Sequence, residues 1–204
     1  MNVAYNRDCL EAMREWPDKS FDLAVVDPPY RDQDENQPFQ QMREVQSVKS
    51  VFAAGKPTEA FWSELRRVSK EQIVFGANNF GFPFKGFIAW DKCVRGSDRY
   101  SQVEIAALSD GLSTVSTLVS YSTYTDGKIH PTQKPVELYA YLFSRFAKPG
   151  QKILDTHLGS GSSRIAAWDA GLDFVGYEID PFYFEQQEQR FSYHAAQVSF
   201  FIPL

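Results

Sequence analysis

The fold is decided by one stretch, Ile153-Leu154-Asp155-Thr156-His157-Leu158-Gly159-Ser160-Gly161. It predicts a short buried strand that ends at an acidic residue, followed by a glycine-rich loop that opens a helix. Glu178 ends the next predicted strand. In doubly wound sheets, such glycines let the backbone approach a ligand, and an acid on the second strand accepts ribose hydroxyls. The pattern predicts a nucleotide-type cofactor site built from Asp155, Gly159, Ser160, Gly161 and Glu178.

The loop departs from the dinucleotide-binding fingerprint, because Arg164 stands where its third glycine is expected. The Asp155 carboxylate would repel a pyrophosphate and attract the ammonium group of an amino-acid-bearing cofactor. This favours S-adenosylmethionine over NAD. A tight strand–helix turn without a ligand is the structural alternative, and a nicotinamide oxidoreductase is a weaker enzymatic one.

Strands and helices alternate along the chain. Apolar spacing predicts five helices, over 9–16, 135–147, 161–170 and 181–195, and one that begins near Thr58. It predicts strands over 21–26, 72–75, 86–90, 102–108, 152–154 and 174–177. Such alternation is typical of an α/β fold with a mostly parallel sheet and helices on both faces. The polar stretch 31–57 predicts a long mobile loop, and the apolar tail 198–204 is expected to pack on the sheet edge or the helices.

The predicted strand 21–26 is followed by Asp27-Pro28-Pro29-Tyr30. A carboxylate, two prolines and an aromatic ring at the end of a strand form a rigid corner that is polar and able to stack. Such a corner suits chemistry on a flat ring that carries an amine. A Pro-Pro turn with a capping Asp and a surface Tyr is the alternative.

Composition sets the limits for the rest. The chain has 204 residues, enough for one sizeable domain, and a net charge of −5 that argues mildly against broad phosphate binding. Cys9 and Cys93 are isolated and the three histidines are scattered, so neither a disulfide framework nor a metal site is expected. There is no run of about 18 apolar residues and no signal-peptide pattern, so a cytoplasmic protein is expected.

Two constellations of residues, the corner Asp27–Tyr30 and the glycine loop 155–161 with Glu178, together resemble the amino-group DNA methyltransferases. Their order, catalytic corner first and glycine loop later, matches the beta group of that family. Further similar segments are Asn6-Arg7-Asp8-Cys9-Leu10 with 17–23, His130-Pro131-Thr132-Gln133-Lys134-Pro135, and 174–180. The resemblance covers about 1–30 and 128–190. It implies a single Rossmann-like S-adenosylmethionine-dependent methyltransferase domain with circularly permuted motif order, and DNA as the partner.

The corner also predicts a mechanism. An exocyclic amine is a poor nucleophile because its lone pair is delocalised into the ring. Asp27 is predicted to accept one amine hydrogen and the Pro28 carbonyl the other, with Pro28 and Pro29 fixing the backbone. Tyr30 is predicted to stack on the flipped base. The resemblance adds Asp8, His130, Thr132 and Lys134 to the predicted cofactor contacts.

Several of these residues could instead have purely structural roles that involve no cofactor. His130 is equally expected as a capping or buried histidine, Lys134 as a solvated lysine at a helix start, and Thr132 as the N-cap of that helix.

The target is predicted to be the N6 amine of adenine. Carbon-5 methylation of cytosine needs a cysteine nucleophile, typically after proline, and Cys9 and Cys93 follow Asp8 and Lys92. In the resembling family, Asp as the first catalytic residue goes more often with adenine. Alternatives are N4-cytosine methylation, the same chemistry on RNA or protein, and an inactive nucleic-acid- or cofactor-binding module.

Two departures from the family pattern bear on specificity. Thr156-His157-Leu158 replaces the usual Pro-Phe after the acidic residue of the glycine segment. The segment for base recognition, about 109–128, is short. Specificity is therefore expected to be loose, supplied by residues 31–57, or shared with a second subunit in a homodimer. A restriction-modification setting follows from the family, and a stand-alone modifying enzyme is the other expectation.

Overall fold

The computed structural model describes residues 1–30, 55–94, 96, 101–123 and 127–199. Most of the predicted mobile loop, 31–57, lies outside the described residues, as does the end of the apolar tail, and both expectations stay predictions. Within the described residues there are eight strands and five α-helices.

The elements alternate as the sequence predicts. The strands are β1 (Asn2–Asn6), β2 (Phe21–Val26), β3 (Ser69–Phe75), β4 (Gly86–Asp91), β5 (Val103–Leu108), β6 (Thr117–Ser120), β7 (Lys152–Asp155) and β8 (Asp173–Glu178). The helices are α1 (Cys9–Glu15), α2 (Glu59–Val68), α3 (Val136–Phe146), α4 (Ser162–Asp169) and α5 (Pro181–Ser199).

One sheet carries all eight strands, in the order β1-β8-β7-β2-β3-β5-β4-β6. The described pairings are parallel except for those of β5, which runs antiparallel to β3 and to β4. The middle strand β2 reads Phe-Asp-Leu-Ala-Val-Val, and its apolar run is explained by burial on both faces of a parallel sheet. The reversed strand β5 becomes important at the functional site.

Helices cover both faces of the sheet. On one face, α3 and α4 pack their apolar sides over Leu23 and Val25 of β2. On the other, α1 and α2 pack over Ala24 and Val26, whose side chains point the opposite way because strand residues alternate. The predicted layering is thus present. No helix in the described ranges is long and apolar enough to cross a membrane.

Two strands are absent from the sequence prediction, and both lie at an edge of the sheet. Among the described residues, the first, β1, pairs only with β8. The second, β6, lies in the Ser/Thr-rich segment 109–128 and pairs there only with β4. An edge strand is half-exposed and held by one neighbour, so its sequence needs no strong apolar alternation. The segment expected to serve recognition therefore also completes the sheet.

The position of the core can be tested by substituting one buried and one exposed leucine. Leu65 on α2 is fully buried, whereas the Leu118 side chain on edge strand β6 is 66% exposed. We expect Leu65→Ala to lower the free energy of unfolding by about 2–5 kcal/mol, because it leaves a cavity in the core. Leu118→Ala should change it by less than about 0.5 kcal/mol. Urea denaturation of both variants decides; equal losses would contradict this assignment of the core.

Candidate active site

The carboxyl ends of three neighbouring strands, β8, β7 and β2, open onto one cavity of about 940 Å³. Ligands of open α/β sheets bind at this edge. The corner 27–30 follows β2, the glycine loop follows β7, and Glu178 ends β8, so two constellations predicted separately line the same cavity. The predicted residues on its wall are Asp8, Asp27, Pro28, Pro29, Tyr30, His130, Thr132, Lys134, Gly159, Ser160 and Glu178.

Asp27 is held by two hydrogen-bond donors. The hydroxyl of Tyr30 lies 2.5 Å from its Oδ1, and the ammonium of Lys134 lies 2.5 Å from its Oδ2. Burial raises the pKa of Asp27, and the positive charge of Lys134 opposes that rise. Each carboxylate oxygen can accept two hydrogen bonds, so both retain acceptor capacity toward the cavity.

Tyr30 is fixed rather than splayed out. Its ring meets Phe80 edge-on at 5.8 Å and covers Gly76, where a Cβ would overlap the ring. Its hydroxyl also lies 2.5 Å from Oε1 of Glu104, and its single proton can go to only one carboxylate at a time. A Pro-Pro turn with a surface Tyr is therefore wrong as an account of this corner.

Lys134 is among the most buried charged residues of the site, at 5% exposure. Its ammonium contacts Asp27 and, at 2.8 Å, Glu104, and it lies 4.6 Å from the centre of the Phe75 ring. Burial lowers its pKa, but the two carboxylates outweigh this and raise it. The solvated-lysine alternative is wrong. Contact between Lys134 and a cofactor stays a prediction, since its described ion-pair partners are Asp27 of the corner 27–30 and Glu104 of β5.

His130 and Thr132 face the glycine loop. The His130 ring is buried edge-on against Tyr183 at 4.4 Å, and its Nδ1 accepts from the Thr132 amide at 3.3 Å. Burial, with the charges of Lys134 and Lys128, lowers the pKa of His130 to about 4. Pro135 is the residue that caps α3, so Thr132 is not its N-cap. Both side chains line the cavity beside the loop.

The glycine loop and Glu178 are joined directly. The Gly159 amide donates to Glu178 Oε2 at 2.7 Å, and the Asp180 amide donates to Oε1 at 2.9 Å. Gly159 has φ +52°, a left-handed conformation that favours glycine, and a Cβ there would lie 3.5 Å from the His130 ring. The carboxylate is thus oriented across the ends of β7 and β8 and still lines the cavity.

Asp155 lies behind the loop instead of on the cavity wall. Its carboxylate is 2% exposed and accepts from Ser163 Oγ at 2.5 Å and from the His157 amide at 2.9 Å. Burial raises its pKa to about 7. Gly161, directly before α4, is likewise absent from the described wall. Direct cofactor contact by either residue stays a prediction.

Asp8 lines the cavity and is the N-cap of α1, where its Oδ1 accepts a hydrogen bond from the Glu11 amide at 2.9 Å.

The described residues contain no group of three or more His, Cys, Asp or Glu side chains placed to hold a metal ion.

Sequence reasoning missed three features of the cavity. Glu104 and Lys92 form an ion pair at 2.7 Å beside the corner 27–30. Ile179 and Phe182 leave about half of their surface exposed next to Glu178. Lys128 lines the rim. A signal existed for Glu104, because it is the one charged residue in the predicted strand 102–108.

Comparison with known proteins agrees with this geometry. Residues 108–189 match a family described as DNA methylase, whose model name joins N6 and N4 methyltransferases. The chain is also 27% identical over 208 residues to "Putative methylase YubD" of Escherichia coli (strain K12), a match that covers 90% of this chain and 87% of that protein.

Solved structures give the same fold. TTHA0409 of Thermus thermophilus, a "Putative DNA Modification Methylase" complexed with S-adenosyl-L-methionine, superposes with a TM-score of 0.61 at 17% identity, over 95% of this chain and 96% of that one. PvuII DNA methyltransferase, described as cytosine-N4-specific, gives 0.66 at 15% identity, over 94% and 86%. At these identities the likeness concerns the fold, and the predicted fold class is confirmed.

Buried histidines make stability depend on pH. Burial lowers the pKa of His157 to about 4, whereas an unfolded histidine titrates near 6.5. At this position the unfolded chain binds more protons between those pH values, so the contribution of His157 to the free energy of unfolding falls as pH falls from about 6.5 to 4. His130 contributes in the same direction and Asp155 in the opposite one. We expect His157→Gln to remove this contribution, so that the free energy of unfolding of the variant falls less toward low pH than that of the wild type. Urea denaturation of both proteins across that range measures the difference; a constant difference would contradict the assignment.

Proposed function

We propose that this chain, which belongs to the amino-group DNA methyltransferase family, transfers a methyl group from S-adenosylmethionine to the exocyclic N6 amine of adenine in DNA. One observation carries the proposal: the carboxylate–proline corner and the glycine loop with Glu178 line a single cavity. A methyl donor on the loop would then face an amine held at the corner. Bringing two reactants together in this way accounts for much of the rate of such reactions.

The residues around the loop fit the cofactor. Glu178 is fixed by two backbone amides and retains acceptor capacity for ribose hydroxyls. Ile179 and Phe182 offer exposed apolar surface beside it for a flat base. Asp8, His130, Thr132 and Ser160 complete the proposed contacts. When bound, S-adenosylmethionine supplies an electrophilic methyl group on a sulfonium sulfur.

Asp27 and the Pro28 carbonyl would activate the target amine. Each accepts one amine hydrogen, which localises the nitrogen lone pair and directs it at the methyl carbon. With S-adenosylmethionine held at the loop, the N–C bond would form as the S–C bond breaks, and the electron pair of that bond would stay on sulfur. The methylated nitrogen then loses its extra proton to water. Lys134 and Tyr30 hold the Asp27 carboxylate in place for this role.

Tyr30 supplies the surface for the flipped base. Its ring lines the cavity while its hydroxyl is anchored, so the ring needs no reordering when a base arrives. Base–aromatic stacking contributes about 1–3 kcal/mol, which is comparable to the cost of taking a base out of the duplex.

Adenine is favoured by the Asp at position 27, and N4 of cytosine is the second candidate, because one structural neighbour is described as cytosine-N4-specific. Both amines sit beside a ring nitrogen, so the same pair of acceptors serves either. We retain the segment 109–128 as the proposed recognition segment, with the homodimer as a proposal that would supplement it.

Loss of the catalytic carboxylate provides the test. We expect Asp27→Ala to reduce methyl transfer by at least about 100-fold, because the amine loses an activating acceptor, while binding of S-adenosylmethionine persists. Labelled S-adenosylmethionine, unmethylated DNA and nucleoside analysis report both the rate and the modified base. Asp18→Ala, whose side chain is 76% exposed, is the matched control.

Two outcomes would count against the proposal. Wild-type protein that transfers no label to DNA would refute it, and recovery of N4-methylcytosine would replace adenine by cytosine. RNA and protein substrates, assayed beside DNA, separate the remaining alternatives.

Lys128 is the proposed contact for a DNA phosphate near the flipped base. It lines the cavity rim and forms no ion pair with any described residue. Burial and the charges of Lys92 and Lys134 lower its pKa. A phosphate would supply the missing negative charge.

Salt dependence tests this contact. We expect Lys128→Ala to weaken DNA binding and to reduce the slope of log K against log salt by about 1. Lys70 lies at the amino end of β3, away from the cavity, and pairs with Asp22. Lys70→Ala should therefore leave the slope unchanged. Fluorescence anisotropy from about 50 to about 200 mM salt measures it; equal slopes for Lys128→Ala and wild type would remove Lys128 from the DNA surface.

A further inference from the structure

We propose that Glu104 is a positioning residue for methyl transfer, holding both groups that orient Asp27, an inference that rests on the proposed function. It lies on β5, outside the two constellations predicted from sequence.

The reversed direction of β5 brings Glu104 to the active edge. The parallel strands β8, β7 and β2 end at the cavity with their carboxyl ends. Because β5 runs the other way, its amino end lies on the same side of the sheet. Glu104 is the second residue of β5 and pairs with Trp90 of β4, just before the cavity residue Lys92. Its side chain is only 10% exposed. A charge buried to this degree needs partners that compensate for lost hydration.

Those partners are the ones that hold Asp27. Lys134 lies 2.8 Å from Glu104 Oε1 and 2.5 Å from Asp27 Oδ2. The Tyr30 hydroxyl lies 2.5 Å from Glu104 Oε1 and 2.5 Å from Asp27 Oδ1. Glu104 is thus the shared second partner of both donors. It also binds Lys92 at 2.7 Å.

The charges of this cluster balance. Asp27 and Glu104 contribute two negative charges, and Lys92 and Lys134 two positive ones. Burial raises the pKa of Glu104, but Lys134 and Lys92 outweigh it and lower that pKa to about 2. Glu104 therefore stays ionised. In the part of the chain that the structure describes, Tyr139, Asp155, His130 and Lys128 are the further titratable groups that interact electrostatically with the cluster.

Sharing the donors matters for the amine. If Glu104 lost its charge, Lys134 and Tyr30 would both bind Asp27 more strongly and draw more of its negative charge toward themselves, so that the carboxylate would become a weaker acceptor for the amine. Asp27 would also gain a net positive environment, which favours its ionised form and lowers its pKa. Turnover should then fall while the acid limb of the pH–rate profile moves to lower pH. A residue that only supports the fold would not move that limb.

Glu104→Gln tests the role, since it keeps the size and removes the charge. We expect kcat to fall on the order of 10- to 100-fold, the size of effect that a slightly misplaced group has. The KM for S-adenosylmethionine should stay within about 2-fold, and the acid limb should shift down. Glu64→Gln is the matched control: it removes a partly buried carboxylate of α2 that pairs with Arg67 at 2.7 Å, away from the cavity wall, and should keep both kcat and the profile.

Lys92→Met gives an independent test with the opposite sign. Removing this ammonium leaves Glu104 to attract Lys134 more strongly, so the pKa of Asp27 rises and the acid limb should shift up. Circular dichroism checks that each variant is folded. If Glu104→Gln does not fold, Lys92→Met alone decides.

The outcomes separate the two proposals. A wild type without methyl transfer refutes the proposed function. An active wild type with a Glu104→Gln variant of equal kcat, or of lower kcat with an unmoved acid limb, overturns the positioning role. A Lys92→Met limb that stays or moves down overturns it as well.

Discussion

The cavity depends on one buried ammonium group, that of Lys134, which lies between two carboxylates. It joins the end of β2 through Asp27, the start of β5 through Glu104, and the segment that leads into α3. Burying a lysine is costly unless it is paired, and removing one partner of a buried pair leaves an uncompensated charge. The arrangement is therefore mutually dependent: Lys134 is tolerated in the interior because of the two carboxylates, and each carboxylate because of Lys134.

The part of the site that depends on local sequence could be predicted. Apolar strands β2, β7 and β8 end at Asp27, the glycine loop and Glu178, and the rule for parallel sheets brings such ends together. Glu104 could not be placed in the same way. Its position depends on the reversal of β5 between β3 and β4, a long-range pairing that no local pattern specifies. The edge strands β1 and β6 escaped prediction because one-sided pairing places weak demands on sequence.

The direction of the Asp155 side chain differs from the one that its charge and its place beside the loop predict. Its place beside the loop suggested a carboxylate that faces the ligand. In the structure Ser163, in the first turn of α4, turns that carboxylate inward, and the His157 amide accompanies it. The residue thereby supports the loop from behind, and Glu178 instead lines the cavity. Sequence spacing placed the acid correctly on its strand, but the direction of its side chain depended on a helix residue eight positions later.

An acidic protein can still act on DNA when its positive charge is local. The net charge is −5, yet three lysines, Lys92, Lys128 and Lys134, line the cavity. Two of these are neutralised by Asp27 and Glu104, so the cluster beneath is balanced and, of these three lysines, Lys128 remains for an anion. In the proposed reaction, positive charge moves from sulfur to the amine nitrogen beside Asp27. A balanced cluster whose carboxylate lines the cavity favours that movement, whereas an excess of lysine there would oppose it.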